Sequence, residues 1–192
     1  IKRQDGCEYD AFAILYRTNA QSRSFEDELR KRAIPYIIYG GLSFYQRKEI
    51  KDILCYLRMI YSGDDISFLR TVNEPRRGVG RTSLWEVISH PGQHATGLGK
   101  AALSKLVAFR ELIDRFAAVA TEKDAFETGR EIVKESGLYA ELYKNLDPES
   151  VSKQENLEEF LAAMQAFVEE GKETGDHVML ADYLQEVALI TD

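Results

Sequence analysis

The sequence predicts a mainly α-helical protein in which a short β-α-β segment comes first. Two observations support this prediction. Apolar residues recur at helical spacing from about residue 44 to residue 190, whereas the first 41 residues hold two compact apolar runs on either side of one helical stretch. Glycine or proline lies at almost every boundary between these segments. We therefore expect two units, residues 1–44 and residues 45–192.

The first apolar run, residues 10–17, ends in polar residues and predicts a buried strand. Thr18 and Gln21 have the spacing of a capping box, which predicts a helix through about Ala33. Residues 36–39 predict a second strand. Because two strands and one helix cannot enclose a core, we expect the edge of a parallel sheet whose other strands lie elsewhere.

The remaining helices are predicted from their apolar stripes and from the residues that interrupt them. Their expected ranges are 44–61, 65–72, 82–89, 99–120, 124–135, 138–145, 149–170 and 179–190. Trp85 is expected to be a core or packing residue on the helix after the first Gly-x-Gly turn. The acidic residues of the segment 155–173 are expected on a solvated helix face opposite an apolar stripe.

Charge is distributed unevenly along the chain, whose formal net charge is −7. Residues 1–121 carry 19 Lys and Arg against 14 Asp and Glu, a net of +5, whereas residues 122–192 carry 6 against 18, a net of −12. Nucleic-acid binding stays possible because the local field of a basic patch decides it.

Cys7 and Cys55 lack metal-ligand or disulfide spacing, which favours a reduced, cytoplasmic protein without a metal site. No apolar run approaches the ~20 residues of a membrane span.

Two Gly-x-Gly turns, each leading into a helix, are the candidate binding motifs. Glycine lets the backbone approach a ligand closely, and a helix N-terminus offers unpaired amides, so each turn predicts a phosphate contact of the helix–hairpin–helix kind. The alternative is that both turns only connect helices. The candidate residues are Arg76, Arg77, Gly78, Val79, Gly80, Arg81, Thr82 and Ser83 in the first turn, and Thr96, Gly97, Gly99 and Lys100 in the second.

A nucleotide-binding P-loop is excluded at the second turn. The pattern G-x-x-x-x-G-K-[ST] would require glycine and a hydroxyl residue where this chain has His94 and Ala101. No nucleophile with a base, and no pair of carboxylates, suggests a catalytic site.

Six segments of the chain resemble superfamily-one DNA helicases of the UvrD/Rep/PcrA type. They are residues 13–23 (AILYRTNAQSR), 34–36 (IPY), 40–52 (GGLSFYQRKEIKD), 73–80 (NEPRRGVG), 154–160 (QENLEEF) and 188–192 (ALITD). In that family two RecA-like motor domains, 1A and 2A, hydrolyse ATP and step 3′ to 5′ along single-stranded DNA, and each carries an inserted domain, 1B or 2B. The resemblance implies that residues 1–44 are a slice of 2A and that residues 45–192 are 2B, both cut from a longer chain.

The resemblance also implies roles for particular residues. Arg17 and Asn19 match positions that contact single-stranded DNA, and the turn at 76–83 matches an element that contacts the duplex ahead of the fork. ATP and Mg²⁺ are expected in the parent helicase, with no cofactor and no ATPase in this chain.

The implied partners are a single-strand/duplex junction, the domains 1A, 1B and 2A, and repair or replication proteins, at the nucleoid of a bacterial cytoplasm and not at a membrane. The implied role is to engage duplex DNA and to regulate the motor by swivelling relative to 2A. An alternative is a module that docks partner proteins, with incidental DNA contact. A free-standing hairpin-type DNA-binding domain is disfavoured because it would have no use for an orphan sheet edge.

Overall fold

The computed structural model describes residues 8–89, 98–144, 147–175 and 177–191. These residues are mainly α-helical, with longer irregular stretches at residues 8–18, 32–43 and 72–80, and each predicted helix is found. The helices are α1 (Ser22–Lys31), α2 (Lys48–Ser62), α3 (Asp65–Thr71), α4 (Arg81–Ser89), α5 (Lys100–Glu122), α6 (Ala125–Glu135), α7 (Leu138–Leu142), α8 (Pro148–Thr174) and α9 (Leu180–Thr191). Short 3₁₀ turns precede α1 at Asn19–Gln21 and α2 at Phe44–Gln46.

Side-chain caps fix where several helices begin. Asp64 accepts a hydrogen bond from the amide of Ser67 at the start of α3, and Asp124 accepts one from the amide of Glu127 at the start of α6, both at 2.9 Å. Asp147 caps α8 in the same way, with proline as the first helical residue. Each carboxylate satisfies amides that have no partner inside the helix and also lies favourably in the helix dipole.

Helix α2 forms the centre of the core, where it packs against α3, α5, α6, α8 and α9. The largest side chains that are fully buried are mostly those of the predicted stripes, and they are Tyr56, Phe44, Phe160, Ile50, Ile53, Leu57, Ile132, Leu157, Met164, Val72, Val168 and Val187. Among the described residues, no helix is long and apolar enough to cross a membrane. Within the same residues, no group of three His, Cys, Asp or Glu side chains could hold a metal ion.

The two predicted strands are not confirmed. Within the described residues, neither 10–17 nor 36–39 is paired in a sheet. Residues 9–11 form a 3₁₀ turn instead, and apolar side chains that should be buried face solvent, with Leu15 95% exposed and Tyr39 87% exposed. A strand is defined by the neighbour that completes its hydrogen bonds, and these segments do not pair with each other.

Helix α1 was predicted more accurately. Gln21 Oε1 accepts hydrogen bonds from the amides of Arg17 at 2.9 Å and Thr18 at 3.3 Å, as expected for the capping residue at the third helical position. Glu26 of α1 is only 2% exposed and accepts a hydrogen bond from the amide of Phe44 at 3.0 Å. This contact fastens α1 to the segment that leads into α2.

Candidate nucleic-acid interface

The side chain of Asn73 holds the first Gly-x-Gly turn. Its Nδ2 donates to the Val79 carbonyl at 2.7 Å, and its Oδ1 accepts from the Val79 amide at 3.0 Å. One side chain thus makes the pair of hydrogen bonds that a neighbouring backbone would otherwise make. Gly78 has a φ of +70°, a conformation that favours glycine, whereas Val79 is 5% exposed and anchors the tip in the core. The turn therefore has a fixed shape.

Arg77 was predicted to contact DNA, but its guanidinium points into the protein. It donates to the carbonyls of Thr71 and Ser136, both at 2.9 Å, and to the hydroxyl oxygen of Tyr56 at 2.7 Å. It also lies over the ring of Phe109, 5.2 Å from the centroid. Burial raises the pKa of Tyr56 to about 12, so its hydroxyl stays protonated near neutral pH. Arg77 thus holds the turn against α2, α5 and the α6–α7 connection.

The negative charge of Glu74, which lies beside the turn, is balanced by Lys48 of α2. Its side chain forms an ion pair with Lys48 Nζ at 2.8 Å, and the same ammonium contacts Asp52 at 2.9 Å. Burial alone would lower the pKa of Lys48, but its bonds to Glu74 and Asp52 raise it above the ordinary value. The negative charge of Glu74 is therefore already paired and does not cancel the cations of the turn.

Arg76 and Arg81 are the cations that the turn presents to solvent. Both are exposed, and neither forms an ion pair or a hydrogen bond with another described residue. The carbonyl of Gly80 accepts the first hydrogen bond of α4, whose first turn contains no acidic residue. Thr82 is exposed and Ser83 half-buried in that turn. Two unpaired guanidinium groups beside the positive end of a helix make a site suited to phosphate.

The prediction that Trp85 is a core or packing residue is wrong. Its side chain is 73% exposed, whereas the preceding Leu84 is 8% exposed and attaches α4 to the core. Successive residues of a helix point about 100° apart, so only one of these neighbours can face inward.

The second Gly-x-Gly turn falls partly outside the described residues, which include neither Thr96 nor Gly97. Gly99 is extended and caps the start of α5, and Lys100 is exposed. From the second turn of α5, Lys105 Nζ donates to the Gly78 carbonyl at 2.8 Å. This contact places the N-terminal part of α5 beside the first turn.

Arg17 and Asn19 lie at a separate surface. Together with Thr18 they line an open cavity of about 420 Å³ whose other wall is the start of α8, residues 148–155. Asn19 Nδ2 donates to Ser152 Oγ at 3.3 Å, and Arg17 is exposed. Glu155 also lines the cavity, so its charge is mixed.

The family model of the UvrD-like helicase C-terminal domain matches residues 1–192. The chain belongs to this family. The match covers both the segment before α2 and the helical part, so the change of pattern near residue 44 lies inside one family unit.

Relatives of this UvrD-like chain carry the name ATP-dependent DNA helicase PcrA. The protein of that name from Bacillus subtilis (strain 168) is 38% identical over 193 residues, which cover 94% of this chain and 26% of the relative. The Leuconostoc citreum protein is 37% identical over 202 residues, 96% of this chain and 27% of the relative. The chain thus spans about a quarter of the length of these helicases.

A buried polar cluster of this UvrD-like domain was missed by the sequence analysis. Arg47, 8% exposed, donates to the Asn19 carbonyl at 2.6 Å, to Asn156 Oδ1 at 2.8 Å and to Ser22 Oγ at 2.8 Å. Asn156 in turn donates to Glu49 Oε1 at 2.6 Å. In the sequence, this cluster could be suspected only from polar residues that interrupt the apolar stripes of the predicted helices. The cluster joins the segment before α2 to α8.

Proposed function

We propose that this chain is the part of an ATP-dependent 3′–5′ DNA helicase that engages duplex DNA, a 2B domain preceded by a slice of 2A. One observation carries the proposal. Arg76 and Arg81 are exposed and form no ion pair or hydrogen bond with another described residue, and the turn between them is held in shape by Asn73 and Arg77. A rigid turn with free guanidinium groups binds the regularly spaced phosphates of DNA without reorganising first.

Such a contact is independent of sequence. Arginine side chains and helix N-terminal amides bind phosphate oxygens and leave the base edges unread. A helicase must move through any sequence, so contacts of this kind suit its duplex-engaging surface. Two or three phosphate contacts give only weak binding, with a dissociation constant on the order of 10⁻⁴ M at physiological salt. The interface therefore positions DNA for the rest of the enzyme.

The motor chemistry belongs to the rest of the parent protein. The sequence contains no P-loop, so we assign ATP, Mg²⁺ and hydrolysis to regions outside residues 1–192, and we expect this chain alone to be inactive. The exposed apolar side chains before α2 would be covered if other parts of 2A complete a sheet with this segment. The most exposed of them are Leu15, Ile37, Tyr39 and Leu42. Domains 1A, 1B and 2A, and repair or replication proteins at the nucleoid, are the proposed partners.

The cavity at Arg17 and Asn19 is the proposed contact for the single strand. The guanidinium of Arg17 is exposed, and the Asn19 carbonyl is held by Arg47, which fixes where the cavity lies. Asn19 contacts the start of α8, whereas Arg77 of the turn contacts α2 and the α6–α7 connection, which is consistent with one surface for the single strand and another for the duplex.

The duplex contact is tested by the salt dependence of binding. Fluorescently labelled duplex is titrated with the chain at low ionic strength, where surface charges are least screened. The double variant Arg76→Ala/Arg81→Ala should flatten the slope of log K against log salt by about 0.9 for each phosphate contact removed.

The matched control removes the same charge at exposed lysines outside the turn, as Lys31→Ala/Lys144→Ala. It should leave the slope nearly unchanged. If both double variants weaken binding equally, the contact is a diffuse charge effect. If neither changes it, the turn does not bind the duplex, and the protein-docking alternative is favoured.

A further inference from the structure

Trp85 is the single tryptophan of the chain, and 73% of its side chain is exposed. An indole ring in water gives up the large hydrophobic stabilisation that burial would provide, so this placement calls for an explanation outside the core. The fold does not force it, because α4 is attached through Leu84 and the neighbouring turn through Val79. Most of the indole surface is therefore available to a ligand.

The position of Trp85 relates it to the cations of the turn. Trp85 follows Arg81 by four residues in α4, so both lie on the same helix face about 6 Å apart along its axis. Glu86, the acidic residue of α4, is rotated about 100° from Trp85. The face thus combines a guanidinium that is paired with no other described residue and a large, flat aromatic surface.

We propose that Trp85 stacks on an exposed base at a duplex end or single-strand/duplex junction while Arg81 holds a nearby phosphate. This inference rests on the proposed duplex contact and adds a preference for DNA with exposed base faces. The sides of a duplex offer phosphates and sugars, whereas base faces are exposed only at ends and in unpaired strands. Aromatic side chains stack on such faces whatever the base, because every base has a π-face. The turn alone would bind any duplex; with Trp85 it favours the junction.

The test uses Trp85 itself as the probe, since no other tryptophan contributes to the emission. The chain is titrated with a linear duplex carrying a single-stranded overhang, and with a covalently closed circular duplex of the same sequence that has no ends. DNA anisotropy reports binding, and tryptophan emission reports stacking. The overhang duplex should quench the emission, and the circle should bind without quenching it.

Two variants separate stacking from the rest of the contact. Trp85→Ala should weaken binding to the overhang duplex about 5- to 150-fold, the range for loss of one base–aromatic stack, and leave binding to the circle unchanged. Trp85→Phe, which keeps a ring, should retain much of the preference for the junction. Because the side chain is largely exposed, neither change should shift the unfolding midpoint by more than about 2 °C.

The outcomes distinguish the two proposals. Equal quenching by linear and circular DNA, or binding of the overhang duplex without quenching, overturns the stacking role and leaves the duplex contact standing. An equal loss of affinity for both DNAs in Trp85→Ala overturns it as well. If neither DNA binds at any salt concentration, the proposed function itself fails, and the stacking role fails with it.

Discussion

Arg77→Ala tests whether Arg77 stabilises the fold while the neighbouring Arg76 does not. It removes hydrogen bonds of 2.9, 2.9 and 2.7 Å to Thr71, Ser136 and Tyr56. Hydrogen bonds from a charged donor contribute roughly 1.5–3 kcal/mol each. Because Arg77 is only half-buried and water fills part of the space, we expect a net loss of about 3 kcal/mol in the free energy of unfolding. For a chain of this size that lowers Tm by about 6–12 °C.

Thermal and urea unfolding, followed by circular dichroism, measure this effect. Arg76→Ala is the matched control, because it removes the same group from an exposed position and should change stability by no more than about 0.5 kcal/mol. Arg77→Lys tests geometry: it keeps the charge but lacks the planar fork, so it should recover less than half of the loss. An unfolding free energy for Arg77→Ala within 0.5 kcal/mol of that for Arg76→Ala would refute the reasoning.

Three further predictions concern the turn, the N-terminal segment and a helix cap. Gly78→Ala should cost about 1–2 kcal/mol in unfolding experiments because φ is +70°, whereas a methyl group at Gly80 meets open space and should change little; equal losses would contradict this. Deleting residues 1–40 should lower Tm but keep one cooperative transition by calorimetry, and a non-cooperative melt would show that the helices have no independent core. Burial favours a higher pKa for Asp124, but hydrogen bonds from the Glu127 amide and Lys172 bring it below its ordinary value. Its stabilisation is therefore present above about pH 4 and lost below it, so Asp124→Ala should cost about 1 kcal/mol at pH 7 and less at pH 3 in urea unfolding; a constant difference would argue against the cap.

The helices could be predicted from sequence because their cause is local. Ile50, Ile53 and Leu57 recur at the spacing of one helix face, and the same residues are buried in α2. The prediction of the two strands was not confirmed because the cause of a strand is not local. Whether residues 10–17 form a strand depends on neighbours in a sheet, and spacing alone cannot show whether those neighbours are present.

The candidate site was predicted as a motif but not in its details. Arg76 and Arg77 are identical in type and adjacent, and they differ only because Ser136 and Tyr56 lie within reach of the second guanidinium. Those partners are 59 and 21 residues away along the chain, which no local pattern reveals. Trp85 was misplaced because a large aromatic residue is usually buried, and the sequence did not show that Leu84 anchors α4 instead.

The contacts of Arg47 impose an order on folding during synthesis. This arginine meets Asn156 across 109 residues of chain, and Arg23 meets Glu159 across 136. At roughly 5–20 residues per second, the ribosome leaves both guanidinium groups without these partners for about 5–30 s. Until α8 emerges, these two contacts cannot form, and the part of α2 that α8 covers stays exposed. This interval is when the nascent chain is open to aggregation and to chaperones.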